Sequence, residues 1–176
     1  MVAWFQAKRP MLRFVLVFGA LIALFYAFTF TPLFKTTMLP SYLRLNARAS
    51  GAILASLGEE VVISNITIIS PRFAVDIRRG CDAIEPSALF VAAVLAFPAS
   101  MRAKLPGIVA GTLLLLAINL VRIVTLVYTG IYFPKAFHTM HIEVWQAAFI
   151  FLALLFWVIW AWWATRRRNR RADAFA

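Results

Sequence analysis

The residues of this chain best suited to chemistry are its single cysteine, one arginine inside an apolar run, and a histidine just before the last such run. A cysteine thiolate is a nucleophile, and a nearby cation lowers the pKa of the thiol from about 8.5. For Cys81 the candidate base is His141, because imidazole titrates near neutral pH and can accept and then return a proton. Arg122 stays protonated and can donate hydrogen bonds to an oxyanion. If the fold brings the three together, they predict covalent thiol catalysis.

Each of these residues also has a structural interpretation. A lone cysteine beside a membrane helix is more often a small buried residue or a lipidation site, and a histidine at a helix start is more often an interfacial polar residue. His138 also competes with His141 for the same role, and the residues alone leave that choice open. Arg122 is different, because an ionisable residue within a membrane span is functional by default. Its structural alternative is a pairing inside the helical bundle.

The elements that must position these residues are membrane spans. The chain has 176 residues, of which 63% are hydrophobic and 14% charged, whereas soluble domains are about 45–50% apolar and about 25% charged. This composition predicts one integral membrane domain covering residues 1–176. The net charge of +11 does not indicate nucleic acid, because the basic residues flank apolar segments and do not form a soluble basic face. Two histidines and one cysteine without ligand spacing predict no metal site, and we expect no cofactor.

Four apolar stretches are candidates to cross the hydrocarbon core, which needs about 20 helical residues. The predicted spans are 12–33, 86–101, 106–133 and 144–164. The first stretch has a basic start, but its apolar run exceeds the roughly 7–15 residues of a signal-peptide core, so we expect an uncleaved anchor. Residues 165–176 form a basic tail that we expect to be disordered. The fold class is therefore an all-α polytopic membrane protein with about four transmembrane helices.

The charges around the spans predict their orientation. Basic residues precede span one, connect spans two and three, and follow span four, so four crossings put them all on one side. The positive-inside rule makes that side cytoplasmic. Six of the seven acidic residues fall on the other side. We expect a multi-pass protein with both termini inside. The flanking basic residues that place this side, ten of the 18 Lys and Arg of the chain, are Lys8, Arg9, Arg13, Arg102, Lys104, Arg166, Arg167, Arg168, Arg170 and Arg171.

An outer insert at 34–82 is too long to be a turn. Its first part predicts a helix that opens at Pro40 and stops at Gly58. Apolar residues then alternate from Val62 to Ile68 and again from Phe73 to Ile77, with a turn between them, which predicts a β-hairpin leading into Cys81.

In this topology Cys81 and His141 lie just outside spans two and four on the outer side. Arg122 is about ten residues below the outer end of span three, so its Cα should lie about 15 Å deep. Asn119 is on the same helical face, and we expect it to hydrogen-bond Arg122 or a substrate carbonyl. The three reactive groups can then converge in one pocket at the outer interface.

The order of these residues resembles the exosortase/archaeosortase family of prokaryotic membrane cysteine transpeptidases. The similarity rests on the cysteine at the head of one span, Asn119-Leu120-Val121-Arg122 within the next, and the histidine that opens the following span. The stretches at 80–85 (Gly-Cys-Asp-Ala-Ile-Glu) and 141–146 (His-Ile-Glu-Val-Trp-Gln) are most similar to the compact exosortase H branch. The resemblance covers about residues 50–164. In the commoner family pattern Ser or Thr and then Gly follow the cysteine, where this chain has Asp82 and Ala83.

The resemblance implies that Cys81, Arg122 and His141 are the catalytic residues. It implies partners that are exported proteins ending in a short motif, a transmembrane helix and a basic tail; in the H branch the motif is of the Ile-Pro-Thr-Leu-x-x-Trp-Gly kind. The enzyme would cleave at the motif and pass the new carboxyl end to an envelope lipid or glycolipid acceptor. The location implied is the bacterial cytoplasmic (inner) membrane, with the active site on the extracytoplasmic side. We expect Asn119, Glu85 and Trp145 to bind substrate.

Two alternatives remain open. One is a non-enzymatic subunit of an envelope export complex, with Arg122 pairing to a partner helix. The other is a thiol acyltransferase that acts on lipid through Cys81. Replacing the cysteine tests the first alternative, and the mass of a trapped acyl intermediate tests the second.

Overall fold

The computed structural model describes residues 2–173, with side chains described for 9–167. The chain is mainly helical, and its single small sheet lies between the second and third helices. The helices are α1 (Val2–Thr29), α2 (Leu39–Ser56), α3 (Ile84–Ala96), α4 (Met101–Tyr132), α5 (Phe137–Thr139) and α6 (Trp145–Asp173), and the strands are β1 (Val62–Ser64), β2 (Thr67–Ile69) and β3 (Ala74–Asp76). Wide π-helical turns at Leu33–Met38 and Met140–Val144 lead into α2 and α6, and a 3-10 turn at Pro134–Ala136 follows α4.

Within the described residues, three helical segments are long and apolar enough to cross a membrane: Arg9–Thr29, Met101–Tyr132 and Pro134–Arg167. The expected all-α polytopic membrane protein with a β-containing insert is confirmed. The second expected span is shorter than predicted, because α3 has 13 residues and rises only about 20 Å. It ends before Pro98, where Phe97 is extended with ψ 139°, the conformation that a following proline imposes.

The start of α4 differs from the expected start of the third span. This helix begins at Met101, five residues earlier than predicted, so Arg102 and Lys104 lie in its first turn and not in a loop. Arg122 follows Arg102 by about 30 Å along the helix, which is a whole hydrocarbon thickness. Measured from the other end, Arg122 lies ten residues before Tyr132, the last residue of α4, which is about 15 Å along the helix, so the depth of Arg122 in a membrane stays a prediction.

The short helix α3 lies at the centre of the membrane bundle, where it packs against α1, α4 and α6. Gly111 on α4 allows this packing, because a Cβ there would collide with the ring of Phe90. At the end of the bundle near Arg102, the Trp160 indole donates a 3.0 Å hydrogen bond to the carbonyl of Ala103. The basic tail is a continuation of α6 through Asp173, so the expectation of a disordered tail is wrong for 165–173, and 174–176 lie outside the described residues.

The insert between α1 and α3 contains a three-stranded antiparallel sheet in the order β1-β2-β3, whereas the sequence predicts two strands. The predicted first strand is interrupted because Asn65 adopts a left-handed conformation with φ 57°, which reverses the chain between β1 and β2. Ser64 therefore pairs with Thr67, and Thr67 pairs in turn with Asp76. The alternation of apolar residues continues through this turn, so the sequence pattern alone did not indicate the turn.

The insert is fixed to α4 by an apolar core. Phe73 approaches the helix at Gly130, where a Cβ would collide with its ring. Because α2 and the sheet pack on the Arg122 half of α4, they hold the segment that follows β3 beside that arginine. The buried residues of this core are Leu43, Ala47, Leu54, Ile68, Ile77, Ile123, Val124, Val127 and Ile131.

Candidate active site

The loop between β3 and α3 carries Cys81 in a sharply turned backbone. Gly80 has φ 94° and Ala83 has φ 57°, so residues on both sides of the Cys81-Asp82 pair are left-handed. For a residue with a Cβ this conformation costs about 1–2 kcal/mol, and Ala83 adopts it because tertiary contacts hold the loop. One such contact is the 2.6 Å hydrogen bond from the Tyr42 hydroxyl to the carbonyl of Asp82. Within the loop, the Asp82 carboxylate also accepts a 3.1 Å hydrogen bond from the amide of Ile84 in the first turn of α3.

The thiol of Cys81 lies against the imidazole of His141. The sulfur is 3.3 Å from Nδ1 and 3.5 Å from Nε2, which is hydrogen-bond distance for sulfur. His141 belongs to the π-helical turn before α6, and its ring stacks on Phe137 with the centroids 5.8 Å apart and an interplanar angle of 4°. The stacking fixes the plane of the imidazole. His138 is exposed, so His141 is the histidine at the thiol.

Arg122 connects the two segments that carry these groups. Its side chain is 2% exposed. Nη1 donates a 3.1 Å hydrogen bond to the carbonyl of Gly80, and Nη2 donates a 3.4 Å hydrogen bond to the carbonyl of His141. The guanidinium also lies over the ring of Phe149, 5.3 Å from its centroid. The buried Nε has no hydrogen-bond partner among the described side chains. The three predicted catalytic residues are therefore adjacent.

Burial and nearby charges set the protonation of the site. Burial raises the pKa of the Cys81 thiol above its ordinary value; the positive charge of Arg122 lowers it, and the negative charge of Asp82 raises it further. The pKa of Asp82 is also raised, chiefly by burial, although the hydrogen bond from the Ile84 amide opposes the shift. The resting site thus favours a neutral thiol next to a base over a preformed thiolate.

Asp82 is a site residue whose position the sequence did not predict. It is 1% exposed, and its carbonyl accepts a 2.6 Å hydrogen bond from the hydroxyl of Tyr42 on α2. Its Oδ2 has no hydrogen-bond partner among the described side chains. The adjacency of Asp82 to Cys81 was a visible signal, but its burial depends on α2, and no spacing in the sequence linked Tyr42 to this loop.

The three expected substrate-binding residues occupy different surroundings. Asn119 is fully buried and donates a 3.2 Å hydrogen bond to Asn46 on α2, so its partner is that asparagine and not Arg122. Glu85 is partly exposed and forms an ion pair with Arg79 at 3.4 Å. Trp145 packs against Phe149, with 6.2 Å between ring centroids, and its buried indole N–H has no partner among the described residues.

A trough of about 470 Å³ begins at Gly80 and Asp82, the chain neighbours of Cys81, and extends into the bundle. Its floor is α3 and its walls are α1 and α6; we call this cavity the α1–α6 trough. Its mouth carries polar groups of Asp82, Glu85, Arg122 and Gln146, and most of the remaining lining is apolar. At the far end Phe14 on α1 and Trp157 on α6 approach each other, with ring centroids 6.0 Å apart. The site is therefore continuous with an apolar cleft inside the membrane bundle.

Comparison with known proteins gives one match. The model of the family described as transmembrane exosortase (Exosortase_EpsH) matches residues 1–160. Neither a curated protein nor a solved structure matches the chain significantly. The family match extends over most of the 176 residues and confirms the resemblance found in the sequence. This chain belongs to the transmembrane exosortase family.

Proposed function

We propose that this protein is a membrane-embedded cysteine transpeptidase that cleaves the C-terminal sorting signals of exported proteins and transfers them to an envelope acceptor. The observation that supports the proposal best is the 3.3 Å approach of the Cys81 sulfur to His141 Nδ1. The second support is the bonding of Arg122 to the segments of both residues.

In the proposed first step, His141 accepts the thiol proton while the sulfur attacks the carbonyl carbon of the scissile peptide bond. A C–S bond forms, and the carbonyl electron pair moves to the oxygen. General-base activation suits a thiol whose pKa is raised by burial, because the proton leaves only as the nucleophile reacts.

Arg122 is positioned to stabilise the oxyanion. A guanidinium has five N–H donors, and only two bonds, to the carbonyls of Gly80 and His141, are found among the described residues. The Nε–H is buried and without a partner there, so it can donate to the developing charge. Removing one donor of this kind raises the activation barrier of acyl transfer by about 2.7–4 kcal/mol.

In the second step, the tetrahedral intermediate collapses. The C–N bond breaks, protonated His141 gives its proton to the leaving amine, and a thioester remains on Cys81. An acceptor amine of an envelope lipid or glycolipid, or water, then attacks the thioester carbonyl. His141 takes the proton of this nucleophile, and the sulfur leaves and is reprotonated, which restores the resting site.

The proposed setting is the bacterial inner membrane, with the site on the extracytoplasmic side. The apolar spans and the concentration of basic residues at one end of the bundle support this orientation. A substrate with an apolar helix and a basic tail could lie alongside such a bundle in the same direction and present its motif at Cys81.

The proposal is tested by co-expressing the protein with a reporter that ends in a sorting motif, an apolar helix and a basic tail. We expect processing by the wild type, none by Cys81→Ala, and a reporter-derived acyl group on Cys81 when the acceptor is limiting. Full processing by Cys81→Ala would favour a scaffold in an export complex. A fatty acyl group on Cys81 would favour a lipid acyltransferase.

A further inference from the structure

The α1–α6 trough has a buried polar atom at its mouth that the proposed reaction does not use. Arg122 Nε is assigned to the oxyanion, but Asp82 Oδ2 has no role in the steps above. Asp82 is 1% exposed, lines the trough, and leaves Oδ2 without a partner among the described side chains. A buried carboxyl oxygen without a partner costs free energy, so a ligand that donates a hydrogen bond to it gains affinity.

We propose that the α1–α6 trough binds the apolar segment of the substrate on the carboxyl side of the scissile bond, and that Asp82 accepts a hydrogen bond from a backbone N–H of that segment. This inference rests on the proposed function, which supplies a substrate whose apolar helix follows the cleavage motif. It adds the place where that segment lies and the residue that recognises it.

The shape of the trough supports a chain that enters from the site and runs into the membrane. Between Gln146 and Trp157, both of which line it, α6 rises about 16 Å. This is about half of a hydrocarbon core. The floor is Leu89, Phe90 and Ala93 on α3, so side chains that entered the trough would meet an apolar surface. The contact of Phe14 with Trp157 closes the far end.

The chemistry of the mouth favours a peptide over a lipid tail. A hydrocarbon chain fills apolar volume but leaves Asp82 Oδ2 without a donor. The start of a membrane segment that follows a cleavage motif has backbone N–H groups that are free to donate, because the first four N–H groups of a helix have no partner within it. The trough also begins beside Cys81, since Gly80 and Asp82 both line it. In the proposed substrate, the segment on the carboxyl side of the scissile bond is the part that both adjoins this bond and enters the membrane.

The first test fills the trough. Ala153 lines it, and Ala153→Phe should lower kcat/KM for a full-length reporter at least tenfold in proteoliposomes. The control is Ala20→Phe, because Ala20 is exposed on α1 and does not line the trough; it should stay within twofold. Iodoacetamide should alkylate Cys81 at the wild-type rate in both variants, which shows that the site is folded. Equal processing by Ala153→Phe and wild type would overturn the inference.

The second test locates the substrate directly. Benzoylphenylalanine replaces Leu154, which lines the trough, or Leu113, which is exposed on α4, each in a Cys81→Ala background that cannot turn over. Illumination should crosslink the reporter to position 154 and not to position 113. Lipid adducts alone at position 154, or equal reporter adducts at both positions, would overturn the inference.

The third test addresses Asp82. Asp82→Asn retains the oxygen that accepts from Ile84 and replaces Oδ2 by an N–H donor, so KM should rise about tenfold for the reporter. Unchanged KM would overturn the role of Asp82. Failure of the proposed function is recognised separately, because Cys81→Ala would then process the reporter as well as the wild type does.

Discussion

The hydroxyl of Tyr42 donates a 2.6 Å hydrogen bond to the carbonyl of Asp82, and this bond joins helix α2 to the residue that follows the candidate nucleophile. Through it, the insert contributes directly to the position of the thiol. The insert is thus part of the candidate site, and the membrane helices alone do not complete it.

Tyr42→Phe should reduce processing without unfolding the protein. The variant leaves the carbonyl of a buried residue without its donor, which costs about 1–3 kcal/mol, and the loop that carries Cys81 loses its connection to α2. We expect kcat to fall roughly tenfold in the reporter assay, with a lower midpoint of thermal unfolding in detergent. Tyr132→Phe is the matched control, because it also removes one hydrogen bond, to Glu59, at an exposed position. Equal effects of the two variants would contradict a special role for Tyr42.

His141→Ala should abolish most processing, whereas His138→Ala should leave it within twofold of the wild type. The imidazole of His141 is 3.3 Å from the sulfur, and loss of general acid–base catalysis typically costs about 10²–10⁴-fold. His138 is exposed and lies three residues away in the same segment, so the two variants are matched in chemistry. Single-turnover cleavage of the reporter measures both. Loss of activity in His138→Ala alone would exclude the base assigned here.

Part of this site could be predicted from the sequence, and the reason lies in the residue types. Cys81 and His141 each begin a membrane helix at the same end of the bundle, and connectivity alone brings such residues to one interface. Arg122 stood out because charge is rare in an apolar run. The hydrogen-bond partner of Asn119 could not be predicted from the sequence, because its bond to Asn46 depends on how α2 packs on α4. Such packing is decided by tertiary contacts between segments far apart in the chain.

The strands of the insert show that tertiary contacts also limit prediction from the sequence within a short segment. The alternation from Val62 to Ile68 predicted one strand, yet the chain turns at Asn65, whose φ is 57°. Asparagine tolerates this left-handed conformation better than most residues, so a turn signal was present but weaker than the alternation. The extent of α3 was likewise set by Pro98, a residue that we had placed inside the second span.

Arg122→Lys should be as damaging as removal of the charge. A lysine ammonium is a compact point charge, and it cannot reproduce the planar fork that reaches the carbonyls of Gly80 and His141. Because Arg122 is 2% exposed, the lysine ammonium would be buried without these two hydrogen bonds. We expect processing to fall at least a hundredfold, about 2.7 kcal/mol, in the reporter assay. Arg79→Lys is the exposed control and should stay near the wild type; a functional Arg122→Lys variant would show that charge alone suffices.

The pH dependence of thiol alkylation should reveal the charges around Cys81. Burial raises the pKa of this thiol and the Asp82 carboxylate raises it further, whereas Arg122 lowers it. The alkylation rate of the wild type should therefore reach half its maximum above the ordinary thiol pKa of about 8.5. Removing the negative charge with Asp82→Asn should move that midpoint to lower pH, and removing the positive charge with Arg122→Met should move it to higher pH. The shifts are measured from the rates of iodoacetamide labelling between pH 6 and 10, with denatured protein as the reference. If the midpoint moved in the same direction in both variants, Asp82 and Arg122 would not have the opposite effects on the thiol pKa that are assigned to them here.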